Sequence, residues 1–149
     1  MAGERGSAML EFAIIVPSLI LFLFFIVEFA LIMYDKAVIT NASREGARLA
    51  SLYYPDAGNP GARRPDGEIQ SAVMDYASKY LITFGNDTLD LSDIQVVREQ
   101  DASGIWVGKV IVTYHYDFMI LPNLLQNITG PFILSAATIM RDENQIPPS

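Results

Sequence analysis

Residues 12–34 read FAIIVPSLILFLFFIVEFALIMY, a run interrupted only by Pro17, Ser18 and Glu28. At 1.5 Å rise per residue such a helix spans roughly 34 Å, enough to cross a hydrocarbon core of about 30 Å with some tilt. The core helix of a soluble domain keeps a polar face along its length, and this run has none. A membrane-spanning helix is the expectation. The run also outlasts the apolar region of a cleaved secretory signal, about 7 to 15 residues, and no small-x-small cleavage site follows it. Ala30 is the one small residue near its end, and Glu28 stands two positions before it. The apolar helix therefore stays on the mature chain.

A short hydrophilic leader, Met1-Ala-Gly-Glu-Arg-Gly6, precedes Ser7-Ala-Met-Leu-Glu11-Phe12. A carboxylate at the edge of a membrane helix costs about 2.5 to 3.5 kcal/mol on insertion scales unless something compensates it. Glu11 either lies in interfacial water or meets a cation. The arrangement resembles a type IV prepilin processing site, in which a peptidase on the cytoplasmic face cuts after a glycine and leaves the apolar helix in place. Carried onto this chain, the resemblance makes Gly6 the residue before the cut and Ser7 the first mature residue. Glu11 and Phe12 are then the fifth and sixth. It also implies that Glu11 faces the new α-amino group of a neighbouring subunit.

The helical pattern continues past Tyr34. No proline occurs before Pro55, and Ile39, Ala42, Ser43, Gly46, Leu49, Ala50 and Tyr53 recur as one stripe of period 3.6. Its centre is small: Ala42, Gly46 and Ala50 stand four apart, a spacing that lets another backbone approach closely. Glycine inside a helix costs about 1 kcal/mol relative to alanine, so Gly46 favours a close contact over a solvated face. That contact is with this chain's own domain or with another subunit.

With this block in view, the resemblance becomes specific. Glu11-Phe12-Ala13, Pro17, Glu28-Phe29 and Asn41-Ala42-Ser43-Arg44-Glu45-Gly46-Ala47-Arg48 follow in the order seen in TadE-like proteins, the minor pseudopilins of the tight-adherence (Flp) pilus. The likeness covers about residues 6–52. It implies partnership with a prepilin peptidase, other pseudopilins, the major pilin and the inner-membrane platform of the pilus machine. It also implies a single-pass inner-membrane protein with its N-terminus cytoplasmic and its C-terminal domain periplasmic or exported in a pilus. Glu28 takes an assembly role on this reading, together with Glu11 and the stripe Ala42, Gly46 and Ala50. One count runs the other way: the leader side holds only Arg5, the far side Lys36, Arg44 and Arg48, whereas basic residues collect on the cytoplasmic side.

Beyond the helix, about 95 residues remain, room for one small domain. Residues 53–66, with three prolines and two glycines, read as an exposed loop. A second helix starts near Asp66, which can cap it. Ile69, Ala72, Val73, Tyr76, Ala77, Tyr80 and Leu81 form its apolar stripe, and Gly85-Asn86 ends it. Asp87, Asp90 and Asp93 stand three apart, whereas a calcium loop places ligands two apart with a glycine sixth and a glutamate twelfth; an acidic turn is expected.

Three strands follow. Residues 94–97 are short and β-branched, and 101–104 form a turn. Residues 105–118 alternate, with Val110, Val112, Tyr114, Tyr116 and Phe118 on one face, and 132–140 close the set. The tail from Arg141, with Pro147 and Pro148, is expected to be loose. The fold class is α+β and pilin-like: a long N-terminal helix, transmembrane then extracytoplasmic, with a small amphipathic helix and an antiparallel sheet of about three strands. Its parts are a leader (1–6), the helix (7–52), the domain (53–141) and the tail (142–149).

The chain carries a net charge of −7, one histidine and no cysteine. An acidic chain suits neither nucleic acid nor an anionic membrane surface, and without cysteine there is neither a disulfide framework nor a thiolate metal site. The lone His115 sits mid-strand, and no serine lies in a strand-to-helix elbow of the GxSxG kind. No catalytic, metal or cofactor residue is assigned. Two function classes remain: a structural assembly protein of a Tad (Flp) type IV-like pilus used in surface adhesion, or a generic signal-anchored domain that binds an envelope component or ligand. Only the first requires Gly6 and Glu11 at their present spacing.

Overall fold

The computed structural model describes residues 2–54, 62–83, 89–119, 132–143 and 145, with side chains from residue 9 onward. One helix, α1 (Ala2–Ser51), runs without a break from the leader through the apolar run to the end of the small-residue stripe. It is followed by α2 (Asp66–Tyr80), a single 3₁₀ turn at Leu91–Asp93, and strands β1 (Ile94–Gln100), β2 (Trp106–Tyr116) and β3 (Phe132–Arg141). The strands form one antiparallel sheet in the order β1-β2-β3. This is an α+β fold, with the long apolar helix, the second small helix and the three strands expected from the sequence.

Both helices cover the same face of the sheet. The alternation in β2 decides which face that is: Val110, Val112, Tyr114 and Tyr116 are buried, with Phe118 just beyond the strand, as the period of two requires. Ile39, Ala42, Ala47 and Ala50 of α1 meet them, as do Ile69, Val73 and Ala77 of α2, and Leu134 and Ala136 complete the core from β3. Burying a side chain such as Ile39 or Ile69 contributes about 1.5 to 3 kcal/mol.

The small-residue stripe lets the three layers close. A Cβ at Gly46 would stand 2.5 Å from Val73 Cγ2 and 3.0 Å from Val110 Cγ1, so only glycine admits α2 and β2 at this level. One turn higher, the Cβ of Ala50 lies 3.0 Å from the position a Cβ on Gly108 would take. Of the two contacts left open by the sequence, the one within the chain is made. Ala42, Gly46 and Ala50 are covered by their own domain.

Several boundaries differ from the sequence reading, each for a polar reason. Asp66 is the first helical residue of α2 rather than its cap. The cap position is Pro65, and the Asp66 carboxylate instead pairs with Arg98 of β1. The helix ends at Tyr80, because Leu81 turns extended and Ile82 donates its N–H to the Asp35 carboxylate of α1 at 3.1 Å. Gly85 and Asn86 lie outside the described residues, as does Asp87. Asp90 and Asp93 close a capping box on the 3₁₀ turn.

The expected loop and tail hold buried parts. Arg63 pairs with Asp142 at 2.7 Å, both nearly enclosed, and its guanidinium lies 5.4 Å from the centre of the Trp106 ring. Glu143 donates its N–H to the Ser51 carbonyl and accepts the Tyr53 N–H, while Gln145 accepts from the Trp106 N–H. The beginning of the tail is therefore fastened to the top of α1, a correction to its expected looseness. Residues 55–61, with Pro55, Gly58, Pro60 and Gly61, lie outside the described residues, as do 144 and 146–149 with Pro147 and Pro148.

Candidate assembly and membrane-boundary site

The helix divides by what surrounds it. From Met9 to Val27 nearly every side chain is exposed, and Val16 alone is half-buried. This is the stretch that can cross a membrane by length and hydropathy, roughly 28 Å for residues 9–27 at 1.5 Å each. Residues 28–34 belonged to the expected span, but here one face of the helix is already occupied. Glu28, Ile32, Asp35 and Ile39 point into the domain, while Phe29, Met33 and Tyr34 remain exposed. The uncovered apolar run thus ends at Val27, where the sheet first touches the helix.

Of the expected processing residues, Gly6 and Ser7 lie within α1, and their side chains fall outside those described. Glu11 and Phe12 are on the exposed part of the helix, with Phe12 69% exposed.

Glu28 is 2% exposed. Its Oε1 accepts the Tyr116 hydroxyl at 2.8 Å and the Met119 backbone N–H at 2.9 Å. An acid in the middle of an apolar run, to which the resemblance gave an assembly role, is partnered by the far end of its own β2. The hydroxyl stays a donor, because burial raises the Tyr116 phenol well above its ordinary pKa, and the hydrogen bond to Glu28 adds to the effect. Around this pair Phe118 and Phe132 pack edge-on to the Tyr116 ring, with centroids 5.6 and 6.5 Å away.

Two turns above Glu28, on the same helix face, Asp35 is completely buried. Its Oδ1 accepts the Ile82 N–H, and its Oδ2 has no hydrogen-bond partner among the described residues. Burial raises the Asp35 pKa above 3.8, and the Ile82 hydrogen bond opposes this in part. The folded protein therefore holds this proton more tightly than the unfolded chain does. The resulting stability is complete below pH 3.8 and is lost as pH rises through the folded-state value. Asp35→Asn keeps an acceptor for Ile82 and removes the ionisation. Its thermal midpoint in detergent, followed by circular dichroism, is expected to exceed the wild-type midpoint at neutral pH, with the gap closing as pH falls toward 3.8. A gap that does not change with pH would rule out Asp35 ionisation as its cause.

Lys36, on the β3 side of the helix, donates to the Ser135 carbonyl, and Ser43 shares a 2.7 Å hydrogen bond with Thr138. Arg48 pairs with Glu45, and Arg44 reaches Asn41. The basic residues beyond the membrane run are thus engaged in the domain's own contacts.

Sequence reasoning missed Asp35, Tyr116, Arg63 and Asp142. The first had a signal: Asp35 lies seven residues after Glu28, hence on the same helical face. Tyr116 sits on the inward face of β2, where a buried hydroxyl needs a partner. The Arg63–Asp142 pair, 79 residues apart, left no local trace.

Residues 6–48 match the family model described as TadE-like protein. The resemblance read from the sequence holds over that segment, which is the exposed run of α1 and most of its packed half. It points to a component associated with the Tad pilus. No curated protein and no solved structure matches the chain.

Proposed function

We propose, from the TadE-like match of residues 6–48, that this chain is a minor pseudopilin, an assembly component of a Tad (Flp) type IV-like pilus. A prepilin peptidase removes residues 1–6, and the mature chain begins at Ser7. Its helix stays in the inner membrane, with the N-terminus cytoplasmic and the α+β domain outside. The partners are other pseudopilins, the major pilin and the inner-membrane platform, and the role is structural with no catalytic step. The observation that carries the reading is the uninterrupted helix, which joins an exposed apolar run after Gly6 to a packed extramembrane half. The helix of a cleaved secretory signal leaves the mature protein, whereas here the upper half of the same helix is the spine of the core. The basic residues on the far side do not oppose this orientation strongly, because Lys36 and Arg48 are engaged within the domain.

Within this reading Glu11 lies where the α-amino group of Ser7 from a neighbouring subunit can meet it. That amine exists only after cleavage, so processing licenses assembly. The test uses Gly6→Ala and Glu11→Ala, each expressed in place of the native copy. Mass analysis of the membrane-purified wild type is expected to show a chain starting at Ser7. Gly6→Ala is expected to remain full-length and in the membrane without supporting pili. Glu11→Ala is expected to be cut at near-normal level, yet to lose pili and crosslinks to other pseudopilins. A wild-type chain that keeps Met1, or a soluble chain that begins past Tyr34, sinks the processing reading. Normal pili from Glu11→Ala sink the pairing alone.

A further inference from the structure

We infer that the domain does not stand clear of the bilayer but rests on it, through an apolar rim at the end where α1 enters. The inference depends on the reading of residues 9–27 as the membrane span. Glu28 fixes the lower end of the domain, since it binds the last residue of β2 and the Met119 N–H. β3 begins at the same level, because Phe132 pairs with Tyr116 in the sheet register. Five exposed apolar side chains share this end: Phe29 and Met33 on α1, Met119 after β2, and Phe132 and Ile133 at the start of β3. Phe29 lies two turns below Lys36 on the same helix face, and the Lys36 contact with Ser135 puts that face beside β3. These residues therefore share one end of the domain, with Phe132 on the sheet face that meets α1 and Ile133 on the opposite face.

The occupant follows from continuity. The rim adjoins the last uncovered turn of the span, so whatever solvates Val27 also reaches Phe29 and Met33. Against this stand Asp117 and His115, half-buried near the end of β2, at a height where headgroups and water tolerate polar groups. Aromatic and aliphatic groups placed so enter the boundary between headgroups and acyl chains by about 5 to 10 Å. The other end of β2 provides a ruler. Trp106, the chain's one tryptophan, is ten residues from Tyr116, roughly 33 Å at 3.3 Å each.

The experiment uses the full chain in vesicles of phosphatidylethanolamine and phosphatidylglycerol. The absence of native cysteine lets single variants Ile133→Cys, Met119→Cys, Leu21→Cys and Lys79→Cys carry an environment-sensitive fluorophore. All four positions are exposed, so labelling leaves the core intact. Lipids bearing a nitroxide high on the acyl chain are expected to quench about half the emission at 133 and 119, as insertion by about 5 to 10 Å requires. They should quench at 21 and leave 79 and Trp106 unaffected. Quenching at 21 without quenching at 133 and 119 overturns the rim while the span stands. If 133 is then shielded from aqueous iodide, a protein partner covers it; if iodide reaches it, the rim is in water. No quenching at 21 removes the span, and the rim with it.

Discussion

Glu28→Ala is expected to destabilise the domain by about 2 to 6 kcal/mol, since two donors, the buried Tyr116 hydroxyl and the part-buried Met119 N–H, lose their acceptor at about 1 to 3 kcal/mol each. Against a net stability of about 5 to 15 kcal/mol for a domain, that is a large share. Glu28→Gln keeps an acceptor at the same place and should lose much less, and Tyr116→Phe should lose about 1 kcal/mol by removing one bond with its donor. Urea unfolding in detergent measures all three. Hydrogen exchange at Met119 should rise most in the alanine variant. If Glu28→Ala unfolds at the wild-type midpoint, the carboxyl is not a fastening of helix to sheet, and its place in the apolar run needs a partner in another subunit.

Asp142→Ala is expected to cost about 3 to 5 kcal/mol, the usual loss when one member of a buried ion pair is removed and the other charge is left enclosed. The Arg63 guanidinium lies over the Trp106 ring, so tryptophan emission should change in the same variant before any unfolding. Replacing both partners, as Arg63→Met with Asp142→Leu, should recover most of the loss, because the pair's worth lies in mutual compensation. A single Asp142→Ala as stable as wild type would show that Arg63 is adequately satisfied without it, and that the beginning of the tail is not a structural fastening.

What could be read from the sequence was what is periodic. The alternation of Val110, Val112, Tyr114 and Tyr116 names the inner face of β2, and the glycine at 46 announces a close approach before its partners are known. The run at 12–34 marks a membrane helix because nothing polar balances it. The polar fastenings were not legible in the same way. Glu28 meets Tyr116 across 88 residues and Asp35 meets Ile82 across 47, and a single carboxyl carries no mark of the distant donor it will meet. The same blindness set the end of α2 too late. Gly85-Asn86 is a good local stop, but an acceptor on α1 takes the Ile82 N–H first. Of the candidate site, the order of Gly6, Glu11 and Glu28 was visible. That the small stripe is filled from within was not, because helical spacing shows a face without showing what covers it.

α1 has no joint between the bilayer and the head. After Pro17 its only glycine is Gly46, and that residue is wedged between Val73 and Val110. Any lean of the membrane segment is therefore a lean of the whole domain, and residues 28–51 act as a lever of roughly 36 Å at 1.5 Å per residue. A tilt of about 20°, ordinary for a membrane helix, carries Ser51 sideways by roughly 12 Å. An axial pull on the segment likewise reaches the top of the sheet undiminished, through the Ser51 carbonyl and the N–H of Glu143.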